Sequence, residues 1–222
     1  MRRALAHCVC LGMVACNEPT YVAKPLPPLV VPKLSSELTV ITTTSSGFSP
    51  GERFVYAVRV RGFEIGSANI AVADSGAEIK SHFGTSMLAQ AVTSISHDLT
   101  TSLDGVKPTL GAERLSIDDK TRQFATDFTG TSSHSIHTAI GVVRAWAQLG
   151  AAAGFLHVVV GDQMVRVELS EPSGGKDWLR VDGKLVGLDS PATFTCWLDT
   201  AHVITRIEIR SDGEQVTADL VH

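Results

Sequence analysis

Histidine and cysteine are the residue types in this chain that could do chemistry, and their spacing limits what that chemistry could be. His134 and His137 stand three apart at the start of a helix-like segment, a spacing that can put two imidazoles on one face as metal ligands. A zinc site needs more ligands than two, and no carboxylate or cysteine follows at a recognisable distance, so capping or surface histidines are the simpler reading. His97 and Asp98 are adjacent, and in a strand adjacent side chains point to opposite faces, which makes a poor catalytic dyad. Cys196 alternates with Phe194 and Leu198 and reads as a small buried hydrophobe; a nucleophile there would need a base beside it. Ser173-Gly174-Gly175-Lys176 lacks the spacing of a phosphate loop. Trp146, Trp178 and Trp197 could line a ligand cavity or fill a core. An envelope hydrolase or metal-dependent enzyme would require His97, Asp98, His134, His137, Cys196 and His202 to converge in one cleft.

The elements that would position these residues are mostly strands. Phe54, Tyr56, Val58 and Val60 alternate with Arg53, Val55, Ala57, Arg59 and Arg61, the period of a strand with one face in a core. Gly62 interrupts the alternation, and Gly66, Ala68, Ile70 and Val72 resume it, which predicts a hairpin. The period returns at Val165, Val167 and Leu169 and at Val203 to Ile209. Asp74-Ser75-Gly76, Asp104-Gly105, Ser173-Gly174-Gly175, Asp182-Gly183 and Asp212-Gly213 read as short turns between antiparallel neighbours.

One segment has a different period. Ser135 to Leu149 spaces Ile136, Ile140, Val143 and Ala147 at helical steps, with Ser132 or Ser133 as N-cap and Gly150 at its end. Met87 to Val92 predicts a further short helical turn. About nine to eleven strands exceed what stays flat, so the expected fold is mainly β. It is a single curved antiparallel sheet or half-open barrel with one central helix packed on it.

The first sixteen residues carry a location signal. Met1-Arg2-Arg3 is a positive start, Ala4 to Val14 is mostly apolar, and small residues precede Cys16. The apolar run is shorter than the ~20 residues that span a bilayer, so it reads as a cleaved export signal. The layout resembles the bacterial lipoprotein type, which implies lipid attachment at Cys16. Asn17 in place of aspartate then implies outer-membrane attachment on the periplasmic side. A plain secretory signal cut near Ala15, or a cytoplasmic protein with an apolar start, are the alternatives. Residues 17–47 hold five prolines and a Ser/Thr run and read as a tether, or as an arm in which Leu38 to Ile41 docks as an edge strand. Residues 48–222 form the expected single domain.

Loss of the signal would leave Cys16 and Cys196, too few for an internal disulfide once Cys16 carries lipid. The net charge of −4 argues against nucleic acid as a partner.

Phe48-Ser49-Pro50-Gly51-Glu52, then Phe54-Val55-Tyr56, then Gly62-Phe63-Glu64-Ile65-Gly66 is similar to the opening of the bacterial exported family called domain of unknown function 3108. Ser135 to Arg144 resembles the family's central helix, and Phe194 to Asp199 its late aromatic strand. The resemblance implies a β-rich envelope protein and brings no catalytic residues or cofactor. Phe48, Pro50, Gly51, Glu52, Tyr56, Gly62 and Gly66 are read as structural. The expected function is a non-enzymatic, lipid-anchored binding or assembly module, in its sharper form a carrier of lipid or another apolar envelope compound. The competing readings are the envelope enzyme and a structural subunit of an outer-membrane machine.

Overall fold

The computed structural model describes residues 38–221 apart from 151 and 189. The signal, Cys16 and most of the 17–47 segment lie outside the described residues. The elements in chain order are β1 (Thr39–Val40), β2 (Arg53–Val60), β3 (Phe63–Val72), β4 (Glu78–Thr85), α1 (Met87–Gln90), β5 (Ile95–Asp104), β6 (Lys107–Ile117) and β7 (Lys120–Asp127). They continue with α2 (Ile136–Gln148), β8 (Gly154–Val160), β9 (Gln163–Leu169), β10 (Ser173–Gly174), β11 (Trp178–Val186), β12 (Ala192–Asp199), β13 (Ile204–Ser211) and β14 (Glu214–Leu220).

Among the described residues all strands belong to one 14-stranded sheet, mainly antiparallel and open, ordered β1-β8-β9-β11-β12-β13-β14-β2-β3-β4-β5-β6-β7 with β10 beside β11. Strands β2 to β7 form one meander and β8 to β14 a second, joined where β14 pairs with β2 in the register Val216↔Val60. Arg61 and Gly62, with φ of 50° and 82°, make the tight β2–β3 turn, a backbone region costly for most residues and free for glycine.

The curl brings the two ends of the sheet near each other. In the β8–β9 turn, Gly161 N–H donates to Glu113 Oε2 of β6 at 2.9 Å. His134 bridges Val158 in parallel, donating to His157 O at 2.8 Å and accepting from Val159 N at 2.9 Å. β1 covers the start of the same β8 edge, also in parallel, and Ile41 N donates to Phe155 O at 2.8 Å. Residues 38–41, within the 17–47 segment, therefore dock as the edge strand of the arm reading and close the β8 edge, which would otherwise invite pairing with another chain.

The concave face holds two apolar clusters. One joins Val142, Val143, Trp146 and Ala147 of α2 to Leu156, Val158, Val165, Val167, Leu169, Val181, Cys196, Leu198 and Ile204. The other comprises Val58, Val60, Ile65, Phe83, Ile95, Leu115 and Val216, with Ala89 of α1 packed on it. Helix α2 is buried on more than one side because it lies within the curl.

Two local expectations are corrected. The helix cap is Ser135, whose Oγ accepts from Thr138 N–H, because Ser132 and Ser133 precede a segment held extended by the His134 bridge. Asp182-Gly183 is not a turn but the middle of β11. A Cβ at Gly183 would lie 2.3 Å from the Phe194 ring, so the glycine makes room for an aromatic side chain on the neighbouring strand.

Candidate functional site

The most polar part of the interior lies where α2 begins, against β4 and β5. Ile79, Ser81 and Phe83 alternate on β4 as Leu99 and Thr101 do on β5, so Ser81 and Thr101 reach the concave face among apolar neighbours. His137, one residue into the helix, fits between them. Its Nδ1 is 3.0 Å from Thr101 Oγ1 and its Nε2 is 2.9 Å from Ser81 Oγ. The Thr101 hydroxyl donates to Ser135 Oγ at 3.0 Å, so its oxygen accepts from His137 Nδ1–H. That fixes the tautomer: Nε2 carries the lone pair and accepts the Ser81 proton.

A serine hydroxyl hydrogen-bonded to an imidazole is the first half of a hydrolytic centre. The second half is missing among the partners of His137: a threonine, not a carboxylate, orients the ring. Burial, and then the charge of nearby His97, push the pKa of His137 down to about 3. An imidazole that basic is a weak general base at neutral pH. Its two hydrogen bonds offset the cost of burying a polar ring and pin the helix start to two strands.

This burial has a pH consequence. His137 takes up a proton near 6.5 when unfolded and only near 3 when folded, so its stabilisation is full above about 6.5 and is lost as pH falls toward 3. A His137→Gln variant should therefore lose less stability than the parent between pH 6.5 and 4, measured by urea unfolding across that window. Equal slopes would show that His137 does not carry the effect.

Beside this network, His97 Nε2 lies 2.9 Å from Glu113 Oε1, the same carboxylate that receives Gly161 N–H. Asp98 points to the other face and pairs with exposed His82 at 2.7 Å. His97 and Asp98 thus belong to different surfaces of the sheet.

The second polar group in the interior is Arg144. It is bonded twice to Glu52, Nη1 to Oε2 and Nη2 to Oε1, each at 3.0 Å, and its Nε donates to His202 O at 3.0 Å. Its guanidinium carbon sits 4.9 Å from the Phe48 ring centroid and 5.2 Å from that of Phe54. Burial pushes the Glu52 carboxyl up, but the Arg144 hydrogen bond, the Ser49 N–H and the Arg144 charge outweigh it and hold the pKa below the usual range. The Phe48, Pro50, Gly51, Glu52 motif is therefore a clasp on the central helix. Gly51, at φ 78°, turns the chain so that Glu52 Oε2 also accepts from Ser49 N–H.

The other motif residues serve the sheet. Tyr56 donates its hydroxyl to Ile204 O at 3.0 Å, and burial raises its pKa to about 12. Gly66 lets β3 and β4 approach so closely that a Cβ would lie 2.1 Å from Gly84 O.

The remaining sequence candidates disperse. His134 precedes the helix and is bound to β8, so it shares no helix face with His137. Burial, then the charge of His157, lower its pKa. Cys196 is buried in the larger apolar cluster, where desolvation raises the thiol to about 12. His202 contributes its backbone carbonyl to Arg144. Trp146 is core, Trp178 is half exposed, and Trp197 sits 5.6 Å from the Arg206 guanidinium. Ser173-Gly174 pairs with β11, and Gly175 N–H donates to Trp178 O in a hairpin. Among the described residues, no group of three or more His, Cys, Asp or Glu is placed to hold a metal ion.

Ser81, Thr101, Glu113 and Arg144 were not singled out from the sequence. Three of them had a signal: Ser81 and Thr101 are polar residues at apolar positions of alternating strands. Arg144 is the lone charge in an apolar helix, which marks a buried pair.

No family model matches the chain, and no curated protein matches it. Among solved structures, a beta-barrel-like protein of domain of unknown function DUF1849 from Brucella abortus is similar over 78% of this chain and 96% of that one. Its TM-score is 0.49 at 10% identity. The lipoprotein LppX of Mycobacterium tuberculosis aligns over 77% of this chain and 85% of that one, with a TM-score of 0.28 at 11% identity. Likenesses at these levels carry nothing about activity.

Proposed function

We propose that this chain is a cell-envelope lipoprotein of the domain of unknown function 3108 type, lipid-anchored at Cys16, whose curled sheet holds an apolar, lipid-like ligand without chemical turnover. The observation that carries the reading is the unequal filling of the concave face. At one end fifteen buried residues, four of them from α2, seal the interior, and the clasp of Glu52 on Arg144 fixes the seal. At the other end the apolar cluster of Val58, Val60, Ile65, Phe83, Ile95, Leu115 and Val216 has Ala68, Ile117 and Ala218 of the strands packed against it, and the helical residue over it is Ala89, on the single turn of α1. A one-turn helix with no buried residue of its own opens at little cost. Apolar walls behind a weak cap suit a ligand recognised by its hydrocarbon.

Native mass spectrometry of the protein purified from its own envelope tests this directly. Bound lipid, lost in a Phe83→Asp variant that remains folded, is the expected result; a protein that carries no apolar molecule overturns the reading. Labelled palmitate incorporation, abolished by Cys16→Ser, tests the anchor and its outer-membrane placement follows from fractionation.

The Ser81–His137 contact favours a second reading, an esterase-like hydrolase. Saturable turnover of an ester, glycan or peptide panel, abolished by Ser81→Ala, would establish it. The absence of a carboxylate partner to His137 and its pKa of about 3 weigh against it.

A further inference from the structure

Three large apolar side chains stand in solvent at one end of the sheet. Met87 is 86% exposed, Leu88 is 88% exposed and Phe63 is 78% exposed, and Val92 adds a fourth, half-exposed group. Phe63 opens β3 opposite Val60, a residue of the smaller apolar cluster, so it lies on the concave side at the very mouth of the curl. Met87 and Leu88 belong to α1, which is joined to the same strand by Ser86 N–H donating to Ile65 O at 2.7 Å. Resting on the ligand reading above, we infer that this end of the half-barrel docks on a lipid bilayer, with Phe63, Met87, Leu88 and Val92 entering the acyl boundary.

Charge distribution selects lipid as the occupant. From Phe83 to Ser96 the chain carries no Asp, Glu, Lys or Arg, whereas 19% of the whole sequence is charged. A protein interface would gain specificity from charged groups at its rim, while a segment entering hydrocarbon must shed them. The charges that border this end are held by partners: Glu64, next to Phe63, pairs with Arg59 at 3.2 Å, Arg61 pairs with Glu214, and Asp118 of the β6–β7 turn accepts from Ser94 N–H at 2.9 Å.

Chain geometry permits it. The N-terminal arm enters at β1 beside the start of β8, which is the end of the sheet opposite Phe63 and α1 in this antiparallel order. Ten-residue strands span roughly 33 Å. The 22 residues between Cys16 and Thr39 could extend to about 70 Å, at ~3.1 Å each in an extended chain. An anchored domain therefore has the reach to turn its mouth to the same membrane.

The test uses the full mature chain with its native anchor in vesicles of phosphatidylethanolamine and phosphatidylglycerol. Leu88→Cys is labelled with an environment-sensitive fluorophore, and Asp104→Cys at the opposite end is labelled as the reference. Buried Cys196 does not react, and the parent chain labelled in parallel reports any reaction at Cys16. The expected result is strong quenching at position 88 by lipids spin-labelled on the acyl chain, none at position 104, and at least about a tenfold loss of the quenched fraction on adding Met87→Asp. Residue 87 is exposed, so an unchanged thermal midpoint confirms that the variant is folded. A water-accessible label at position 88, or equal quenching at both positions, overturns end-on docking. The ligand reading fails separately: quenching at 88 with no co-purified lipid removes the carrier and keeps the docking, and the reverse pattern removes the docking alone.

Discussion

Glu52→Ala should destabilise the fold by about 3–5 kcal/mol, the cost of leaving a buried cation without its partner. Arg144 is almost wholly buried, and both of its terminal nitrogens bond the Glu52 carboxylate; only the His202 carbonyl would remain to accept from it. Urea unfolding monitored by tryptophan fluorescence measures the loss. The comparison that separates charge from packing is the pair Glu52→Leu with Arg144→Met, which removes both charges and keeps the volume. That double variant should recover most of the stability, since a buried ion pair and an apolar replacement are often nearly equal. A Glu52→Ala variant within 1 kcal/mol of the parent would show that Phe48 and Phe54 alone hold the helix. The clasp also has a pH signature. The Glu52 pKa is lowered in the fold, so its contribution is complete above the unfolded value near 4.5 and disappears as pH falls through the folded value.

The clasp illustrates what the sequence made legible. Alternation in β2, from Phe54 to Val60, and the apolar spacing of α2 are local signals, and both elements form where the spacing puts them. A curved, mainly antiparallel sheet with a helix on it follows from strand number and twist alone. Pairings between distant segments left no comparable trace. Nothing in Thr39-Val40 announces a parallel partner at Gly154-Phe155, and nothing in Val216 to Leu220 announces β2 as its neighbour. The polar network was hidden for the same reason. Ser81, Thr101 and His137 are 56 or fewer residues apart in sequence, but they meet only because the sheet bends around the helix start. Asp182-Gly183 misled because turn and packing glycines share one dipeptide, and only the Phe194 ring beside it tells them apart.

Gly141→Ala tests the contact between the helix and the arm that precedes β2. On an exposed helix this change would stabilise by up to ~1 kcal/mol, because glycine is the poorer helix former. Here a Cβ would lie 1.9 Å from Ser46 O and 3.1 Å from the Phe48 ring, and Gly47 presses back against the Gly141 carbonyl. The obstacle at the shortest distance, Ser46 O, is backbone, so the arm has to move as a whole. The expected net result is a destabilisation of about 1–3 kcal/mol from overpacking. Its location should be diagnostic. Displacing residues 46–48 pulls Phe48 from Arg144 and loosens the stretch back to Ile41, whose amide bonds Phe155 O and whose side chain belongs to the larger apolar cluster. Hydrogen exchange should therefore lose protection at the Ile41 amide before it does so in β9 or β12. A variant that gains stability while that amide stays protected would mean that the arm yields freely, and that the helix is held from Glu52 and the sheet alone.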